Sequence, residues 1–304
     1  MHPTTRILVE RRFPLALSAT LASIRELYET GKRSRWNPQR DIDWPALRAA
    51  AAGFAAPARE AARSLWSRRA WLEYTGLAET PALLIRFCLE AGREADPKYF
   101  LTVRNTEEAW HVESFHLAAD ALGGYLTRPA DPAWEPVINR TLYREALAAE
   151  HLLDDYVAVH CAVEDGLELE LFEAYHRNAR DPVLAAMLDR VVADKRRHAE
   201  FGWLYLESRL AEADAARRAA IAAAIADWIE TVAFSGYQVA TLSTTIDTAP
   251  DIAAMAAASD AGLGAVTAAT EERVFTDYLQ RARERLAGSG VAPRACRHPR
   301  LGPI

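Results

Sequence analysis

The sequence predicts an all-α protein, and three of its features support this fold class. Half of the 304 residues are hydrophobic and Ala is the most frequent residue type, which favours helix because Ala has the highest intrinsic helix propensity. Apolar residues recur at intervals of three and four along most of the chain, the spacing of one helix face. No segment alternates apolar and polar residues as a strand does. We therefore expect a bundle of helices.

Proline and glycine mark the helix ends in the first half of the chain. A periodic apolar segment predicts the first helix, and Trp36 and Trp44 indicate an ordered connector after it. Each later helix starts near a proline, which is favoured in the first turn, and a Thr or Asp before the proline can cap the helix. A Gly-Gly pair ends the last of these helices. These signals predict helices at 15–30, 45–53, 57–75, 81–94 and 97–123.

The second half has longer helices after a proline-rich crossover at 128–136. Asp181 followed by Pro182 indicates a tight turn between two helices, which we expect to be antiparallel neighbours. A loop is predicted around Pro250. The predicted helices are 139–180, 182–211, 213–245 and 263–286. No linker or internal repeat divides the chain, so we expect one helical-bundle domain at 1–287 and a loose C-terminal tail at 288–304.

Composition and charge exclude several classes of protein. The chain has 42 acidic and 36 basic side chains and a net charge of −6, whereas nucleic-acid binding needs a basic face. Three widely spaced cysteines predict reduced thiols. No stretch approaches the roughly 20 apolar residues that span a bilayer, and residues 1–12 lack the apolar core of a signal peptide. We expect a cytoplasmic protein that binds neither nucleic acid nor membrane.

The predicted helix 97–123 carries charge on its apolar face. Glu108 and His111 interrupt a stripe that otherwise has the spacing of a buried surface. Buried charges are costly unless they are paired or bound to a metal. A Glu and a His three residues apart share one helix face, and helical bundles use this pair to build two-metal carboxylate sites. The pair is therefore a candidate for metal ligation.

The next two predicted helices repeat this arrangement. His160 and Glu164 interrupt the apolar stripe of one helix, and Lys195 and His198 interrupt that of the other. Counted from the turn at Asp181, Glu164 lies 181 − 164 = 17 residues back, and Lys195 and His198 lie 195 − 181 = 14 and 198 − 181 = 17 residues forward. We expect the three side chains to meet at one depth of the bundle.

Two of these segments resemble a known family. Residues 107–111 (Glu-Glu-Ala-Trp-His) and 194–199 (Asp-Lys-Arg-Arg-His-Ala) resemble the two Glu-x-x-His helices of the ferritin-like superfamily of dimetal carboxylate oxygenases. The resemblance extends over roughly residues 59–209 and includes a spacing similar to that of the arylamine N-oxygenase branch. It implies a ferritin-like four-helix bundle with additional N- and C-terminal helices.

The resemblance also implies a set of site residues. Carried over by motif, the metal ligands are Glu73, Glu108, His111, Glu164 and His198, with Glu79 as an alternative to Glu73. Asp194 is expected to orient a ligating His, as the outer partners of metal ligands do, and His160 is assigned to the same outer position. The implied cofactor is one or two iron ions, or manganese.

One residue departs from the family pattern. Lys195 occupies the position of a Glu in the second motif, and a protonated Lys cannot bind a metal. Its possible roles are to pair with Glu164 and displace one metal, to replace a cation in a metal-free site like that of the metal-free ribonucleotide reductase small subunits, to act while neutral as a base or nucleophile, or to extend to the surface. Val191 stands where the N-oxygenase branch has an extra His, which argues against that activity.

The function predicted from these residues is a dioxygen-dependent oxidoreductase that acts on a small organic substrate. Its iron or manganese site is altered by Lys195, the candidate catalytic residue, and its cofactor is absent if Lys195 prevents metal binding. Trp66, Trp71, Trp110 and Phe115 would line the substrate pocket. The alternative is a metal-free ferritin-like protein that binds a ligand or a partner. The helices after residue 211 would cover the bundle or form a homodimer contact.

Overall fold

The structure is a computed structural model that describes residues 18–90, 93–138 and 152–304. Within these ranges the chain is helical except for one short hairpin and the connecting loops, which confirms the all-α prediction. The predicted helix starts at 15 and 139 lie outside the described residues. The helices are α1 (Ala22–Arg33), α2 (Trp44–Ala51), α3 (Ala56–Glu73), α4 (Gly76–Leu89), α5 (Ala95–Ala121), α6 (Glu135–Ile138), α7 (three consecutive pieces, Leu153–Tyr156, Val157–Glu164 and Asp165–Asn178), α8 (Pro182–Leu210), α9 (Ala215–Thr231), α10 (Ala249–Ala261) and α11 (Ala268–Gly288).

Four long helices form the central bundle. Helix α3 packs along α5, α7 packs along α8, and α8 also contacts α5. Helices α1 and α4 cover α5, while α10 covers α3 and α11 covers α7. The structure is therefore a four-helix bundle with additional N- and C-terminal helices, as predicted. Among the residues described, no helix is both long and apolar enough to span a membrane.

The turn between α7 and α8 follows the sequence prediction. The Asp181 side chain accepts the backbone N–H groups of Val183 and Leu184, both at 3.0 Å, and Pro182 occupies the first turn of α8. This cap satisfies two of the N–H groups that every helix start leaves unpaired. It fixes α7 and α8 as adjacent antiparallel helices.

Helix α4 begins earlier than the sequence signal indicates. The Thr80–Pro81 pair predicts a helix start at 81, but α4 starts at Gly76 and contains Pro81. The Thr80 hydroxyl does not cap the helix, because it donates to the Glu108 carboxylate at 2.9 Å. A residue that looks like a cap in the sequence thus contacts a buried acid.

The middle piece of α7 is a π-helix, Val157–Glu164. Its backbone approaches α8 closely at Gly202, where a Cβ atom would lie 1.7 Å from the Cys161 carbonyl oxygen. Only glycine allows this approach. Such wider turns inside α-helices are frequent at functional sites, and here the π segment carries His160 and Glu164.

The C-terminal third differs from the sequence prediction. The helix predicted at 213–245 ends at Thr231, and Gly236 then adopts a left-handed φ of 82° that a helix cannot continue through. The loop predicted around Pro250 is the start of α10, with the proline in its first turn. Proline here opens a helix that the sequence analysis missed.

The segment 288–304 packs against the bundle. Two-residue strands, β1 (Arg297–His298) and β2 (Gly302–Pro303), pair antiparallel. Val291, Cys296 and His298 are buried, and the backbone groups of Cys296 and Ile304 bond each other at 2.9 and 2.8 Å. Arginine and proline in this segment resemble a loose tail in sequence, but alternate side chains point inward. The domain boundaries at 287 and 288 remain a prediction.

Candidate functional site

A cavity lies inside the bundle between α3, α4, α5, α7 and α8. Its volume is about 60 Å³, enough for a few water molecules or ions. Its lining is dominated by ionisable side chains, six of them carboxylates. The ionisable lining residues are Glu73, Glu79, Arg104, Glu108, His160, Glu164, Asp165, Glu168, Lys195 and His198.

Lys195 is buried and ion-paired in this cavity. Its Nζ donates to both oxygens of Glu73, at 3.0 and 3.1 Å, and to Glu168 Oε2 at 2.9 Å. Burial would lower the pKa of the ammonium, but Glu168 and Glu73 raise it above its ordinary value. The side chain is only 3% exposed. Lys195 is therefore a fixed cation. The predicted pairing with Glu164, the neutral amine and the extension to the surface are not what the structure shows.

His111 joins Glu73 to Asp194. Its Nδ1 lies 2.8 Å from Glu73 Oε1 and its Nε2 lies 3.2 Å from Asp194 Oδ2. Burial opposes charge on the ring, but these two carboxylates raise the pKa of His111 to about 9. Asp194 also accepts the Trp36 indole N–H at 2.9 Å and pairs with Arg197. Asp194 thus contacts the His of the first motif, the contact expected of an orienting partner.

His198 faces a residue that the sequence analysis did not select. Its Nε2 lies 3.0 Å from Glu107 Oε2. Burial, and then the cations Arg104, His111 and Lys195, lower the pKa of His198 well below its ordinary value. The imidazole therefore stays neutral. Glu107 precedes Glu108 in the first motif, and its neighbour in the sequence hid it, because adjacent helical residues point in different directions.

Glu108 is held on one side only. Its Oε1 accepts Arg104 Nε at 2.9 Å and the Thr80 hydroxyl at 2.9 Å, whereas Oε2 is buried and has no hydrogen-bond partner among the described residues. A Cβ atom on Gly76 would lie 2.9 Å from the carboxylate carbon, so glycine leaves the space beside it open. Burial raises the pKa of Glu108 in spite of Arg104. This free oxygen is an available acceptor or metal ligand.

Three further side chains line the same end of the cavity. His160 Nδ1 lies 2.6 Å from Glu164 Oε2, and Gln238 donates to Glu164 Oε1 at 3.3 Å. Glu79 is buried, and its pKa rises to about 7 because of burial. Its carboxylate also interacts with the Tyr156 hydroxyl. Glu79 therefore belongs with Glu108 and Glu164, while Glu73 belongs with Lys195.

Arg104 is a second buried cation that the sequence analysis missed. Besides Glu108 it pairs with Asp165 at 2.9 Å and contacts the Cys161 sulfur at 3.2 Å. It lies four residues before Glu108, the spacing at which side chains share a helix face, and this spacing is the signal that was available. Arg104 and Lys195 together place two positive charges among six carboxylates.

The aromatic residues predicted to line a pocket do not line this cavity. Trp66 packs on Phe115 with ring centroids 5.4 Å apart, and Trp110 packs edge-on against Trp36 at 5.9 Å. Trp71 packs against the main hydrophobic core. These rings belong to the core instead.

Comparison with solved structures identifies the architecture. An R2-like ligand-binding oxidase variant with an anaerobically reconstituted Mn/Fe cofactor superposes with a TM-score of 0.59 at 18% identity, over 86% of this chain and 92% of the other. A variant with a non-activated Mn/Mn cofactor gives 0.58 at 19% over the same shares. The chain has the ferritin-like fold of these oxidases. The fold implied by the two motifs is thereby confirmed. No family model matches the sequence, and no curated protein matches it significantly.

The ferritin-like core here differs from a ready-made dimetal centre. Within residues 18–90, 93–138 and 152–304, no three His, Cys, Asp or Glu side chains are grouped as a metal site. Of the predicted ligands, Glu73 and His111 are in contact, Glu108 and Glu164 line the same cavity, and His198 turns to Glu107. The chain's own cations take part of the place that metal ions would neutralise.

Proposed function

We propose that this ferritin-like protein is a dioxygen-dependent oxidoreductase with one iron or manganese ion in the cavity, and that Lys195 stands in for the second ion. The observation that carries the proposal is the charge of the cavity. Six carboxylates share it with only two permanent cations, and buried carboxylates need protons or cations to offset them. The Mn/Fe and Mn/Mn cofactors of the fold neighbours give the class of metal.

The residues around Glu108 fit one metal ion. Glu108 Oε2 is buried without a partner among the described residues, and Glu79, Glu164 and His160 line the same end of the cavity. Three carboxylates and one imidazole suit iron or manganese, which take oxygen and nitrogen ligands. We assign these four residues as the ligands. Glu108 and Glu164 come from the predicted set, and Glu79 replaces Glu73.

The residues around Glu73 do not fit a second ion. Both Glu73 oxygens accept from the Lys195 ammonium, and His111 is held between Glu73 and Asp194. A metal ion there would lie beside a fixed positive charge and would be repelled. His198 could complete a second site only if the cation were removed. Lys195 thus reduces a two-metal scaffold to a one-metal site.

The protein's own side chains prepare the reaction site. A bound ion would supply the redox chemistry with dioxygen, which side chains lack. Arg104 holds Glu108 Oε1 and Asp165, so the ligand carboxylate keeps one orientation. Lys195 holds Glu73 and Glu168, whose carboxylates would otherwise compete for the ion. The buried lining excludes bulk water from the cavity, which protects a reactive centre.

The test is the metal content of the full chain expressed with iron and manganese supplied. We expect about one ion per chain in the wild type, and about two in Lys195→Glu, because the variant restores the carboxylate of a two-metal set. Lys32→Glu makes the same charge change at an exposed position and should leave the content unchanged. Oxygen consumption by the loaded proteins is the functional readout.

Two further variants locate the ion. Glu79→Gln removes an assigned ligand and should lower metal affinity by at least about tenfold, since even the outer partners of ligands contribute that much. Glu73→Gln removes a partner of Lys195 and should leave the single ion in place. A metal content below about a tenth of an ion per chain under every loading condition would refute the metal site.

A metal-free protein is the second candidate, and one observation favours it. The two buried cations already contact four of the six carboxylates, Glu73 and Glu168 through Lys195 and Glu108 and Asp165 through Arg104. In this case the cavity is a self-contained ionic network, and the protein binds a ligand or a partner without redox chemistry. The same metal measurement separates the two functions.

A further inference from the structure

A second cavity of about 60 Å³ adjoins the first. The two share four lining residues, Leu72, Glu73, Glu168 and Gln238. A molecule in the second cavity would therefore touch the carboxylates that Lys195 holds. The remaining wall is mostly apolar and is formed by Leu65, Leu171, Phe172, Tyr175 and Met255.

Two arginines of α3 line this second cavity. Arg68 is 6% exposed, and its Nη2 donates to the Tyr237 carbonyl at 2.7 Å, while its buried Nε has no partner among the described residues. Arg69 Nη1 donates to the Gly264 carbonyl at 2.7 Å. A guanidinium carries five N–H donors, and these two bonds use one donor of each. Arg68 Nε is thus a buried donor that lacks an acceptor in the described part of the chain.

The positive charge of the arginines is not neutralised by the carboxylate nearest in the lining. Glu271 accepts the Tyr175 hydroxyl at 2.6 Å, and within the described ranges no ion pair joins it to either arginine. Arg69 instead lies over the Tyr175 ring at 3.9 Å, and Arg68 lies over Trp134 at 4.3 Å. Aromatic faces stabilise buried cations only in part. An anion in the cavity would complete the arrangement.

We propose that the second cavity binds the carboxylate of a small apolar carboxylic acid, which is the substrate of the oxidoreductase. Arg68 and Arg69 hold the carboxylate, since the arginine fork matches its two oxygens. The apolar wall packs on the hydrocarbon part, as in other small-molecule sites. As an account of the substrate this rests on the proposed function, whereas the binding site stands independently of the metal.

The orientation of the bound acid follows from the helix. Arg69 lies four residues before Glu73 on α3, about 6 Å along its axis. With the carboxylate at the arginines, carbon atoms remote from it lie beside Glu73 and Lys195, next to the first cavity. The carboxylate end points away from the proposed metal ion.

The test is calorimetric titration of the full chain with hexanoate and with hexan-1-ol, which has the same chain and no charge. We expect hexanoate to bind at least about tenfold more tightly than the alcohol, because only hexanoate pairs with the arginines. Arg68→Gln and Arg69→Gln should each weaken hexanoate about tenfold. Arg59→Gln, on the same helix but outside both cavities, is the matched control and should bind as the wild type does.

Two measurements keep the test decisive if an arginine variant fails to fold. Hexanoate should raise the melting temperature of the wild type and hexan-1-ol should not, since a ligand stabilises the state it binds. Glu271→Gln removes a negative charge beside the arginines and should tighten hexanoate. Equal binding of acid and alcohol, or weaker binding in Glu271→Gln, would overturn the site.

The metal state separates this proposal from the previous one. Metal-free and metal-loaded protein should bind hexanoate alike, because the carboxylate contacts arginine and not the ion. Hexanoate binding that requires metal and ignores both arginines would overturn the arginine site and leave the metal site intact. A chain that holds no metal yet binds hexanoate through the arginines would refute the oxidoreductase and keep the carboxylate site.

Discussion

At the scale of single residues, burial sets the charge state of most acids in the two cavities. Glu271 shows this away from the proposed metal ligands: it is 4% exposed, and burial raises its pKa to about 7. In the unfolded chain the same carboxyl has the ordinary glutamate pKa of 4.5. Folding therefore binds a proton at pH values between these two.

We expect this proton to make the protein less stable as pH rises. Between about pH 4.5 and 7 the unfolded state loses its proton first, so the free energy of unfolding falls with pH, by roughly 3 kcal/mol over the interval at 1.4 kcal/mol per unit. Glu271→Gln keeps an oxygen for the Tyr175 hydroxyl and removes the titration. Urea unfolding from pH 4.5 to 8 should show a flatter profile in the variant, and parallel profiles would contradict the assigned protonation.

The sequence predicted which residues of the site are buried better than it predicted their partners. Glu108, Glu164, Lys195 and His198 are all buried where the helix faces indicated. The predicted contact of Lys195 with Glu164 assumed regular α-helical turns, but the π segment contains Glu164 and has wider turns. Lys195 consequently reaches Glu168, one turn further along α7.

At the scale of helices, the contact of α7 with α8 depends on one glycine. A Cβ atom at Gly202 would overlap the Cys161 carbonyl at 1.7 Å, and only a backbone shift could relieve this. We expect Gly202→Ala to lower the free energy of unfolding by more than about 3 kcal/mol, as overpacking against rigid groups does. Denaturant unfolding of the purified protein measures the loss.

The control for this substitution is also a helical glycine. Gly288 ends α11, and a Cβ atom added there would have no described atom within 4 Å. Gly288→Ala should therefore change stability by no more than about 1 kcal/mol, in the favourable direction of helix propensity. Similar stabilities of the two variants would show that α7 and α8 do not meet backbone to backbone.

The helices themselves were largely predictable where caps and prolines act locally. Asp181 and Pro182 mark the start of α8 in the sequence and in the structure. Pro81 misled because its position inside α4 depends on contacts with α5, where Thr80 meets Glu108. Tertiary contacts of this kind have no local sequence signal, so helix starts set by them could not be predicted.

At the scale of the whole molecule, the C-terminal segment closes one side of the bundle. His298 is 1% exposed, and its Nε2 lies 2.9 Å from the Leu242 carbonyl, while the backbone N–H groups of Arg300 and Leu301 approach its Nδ1 at 3.4 and 3.3 Å. The imidazole thus links the segment to the loop after α9. Removing it leaves buried polar groups without partners.

We expect His298→Ala to cost about 1–3 kcal/mol of the free energy of unfolding, the penalty for unsatisfied buried polar groups. Its neighbour Arg297 is exposed, and Arg297→Ala should change stability by less than about 0.5 kcal/mol. Urea denaturation of the two variants beside the wild type makes the comparison. Equal stabilities would show that the segment is not packed in solution.

The ion pairs of Lys195 also bear on how the chain matures in the cell. In small metal-dependent domains the ligands repel one another until the metal arrives, so the metal and the fold form together. Here Lys195 draws Glu73 and Glu168 together, and Arg104 does the same for Glu108 and Asp165. The newly made chain can fold before any metal reaches it. Which ion it later holds then depends on the supply that the folded protein meets.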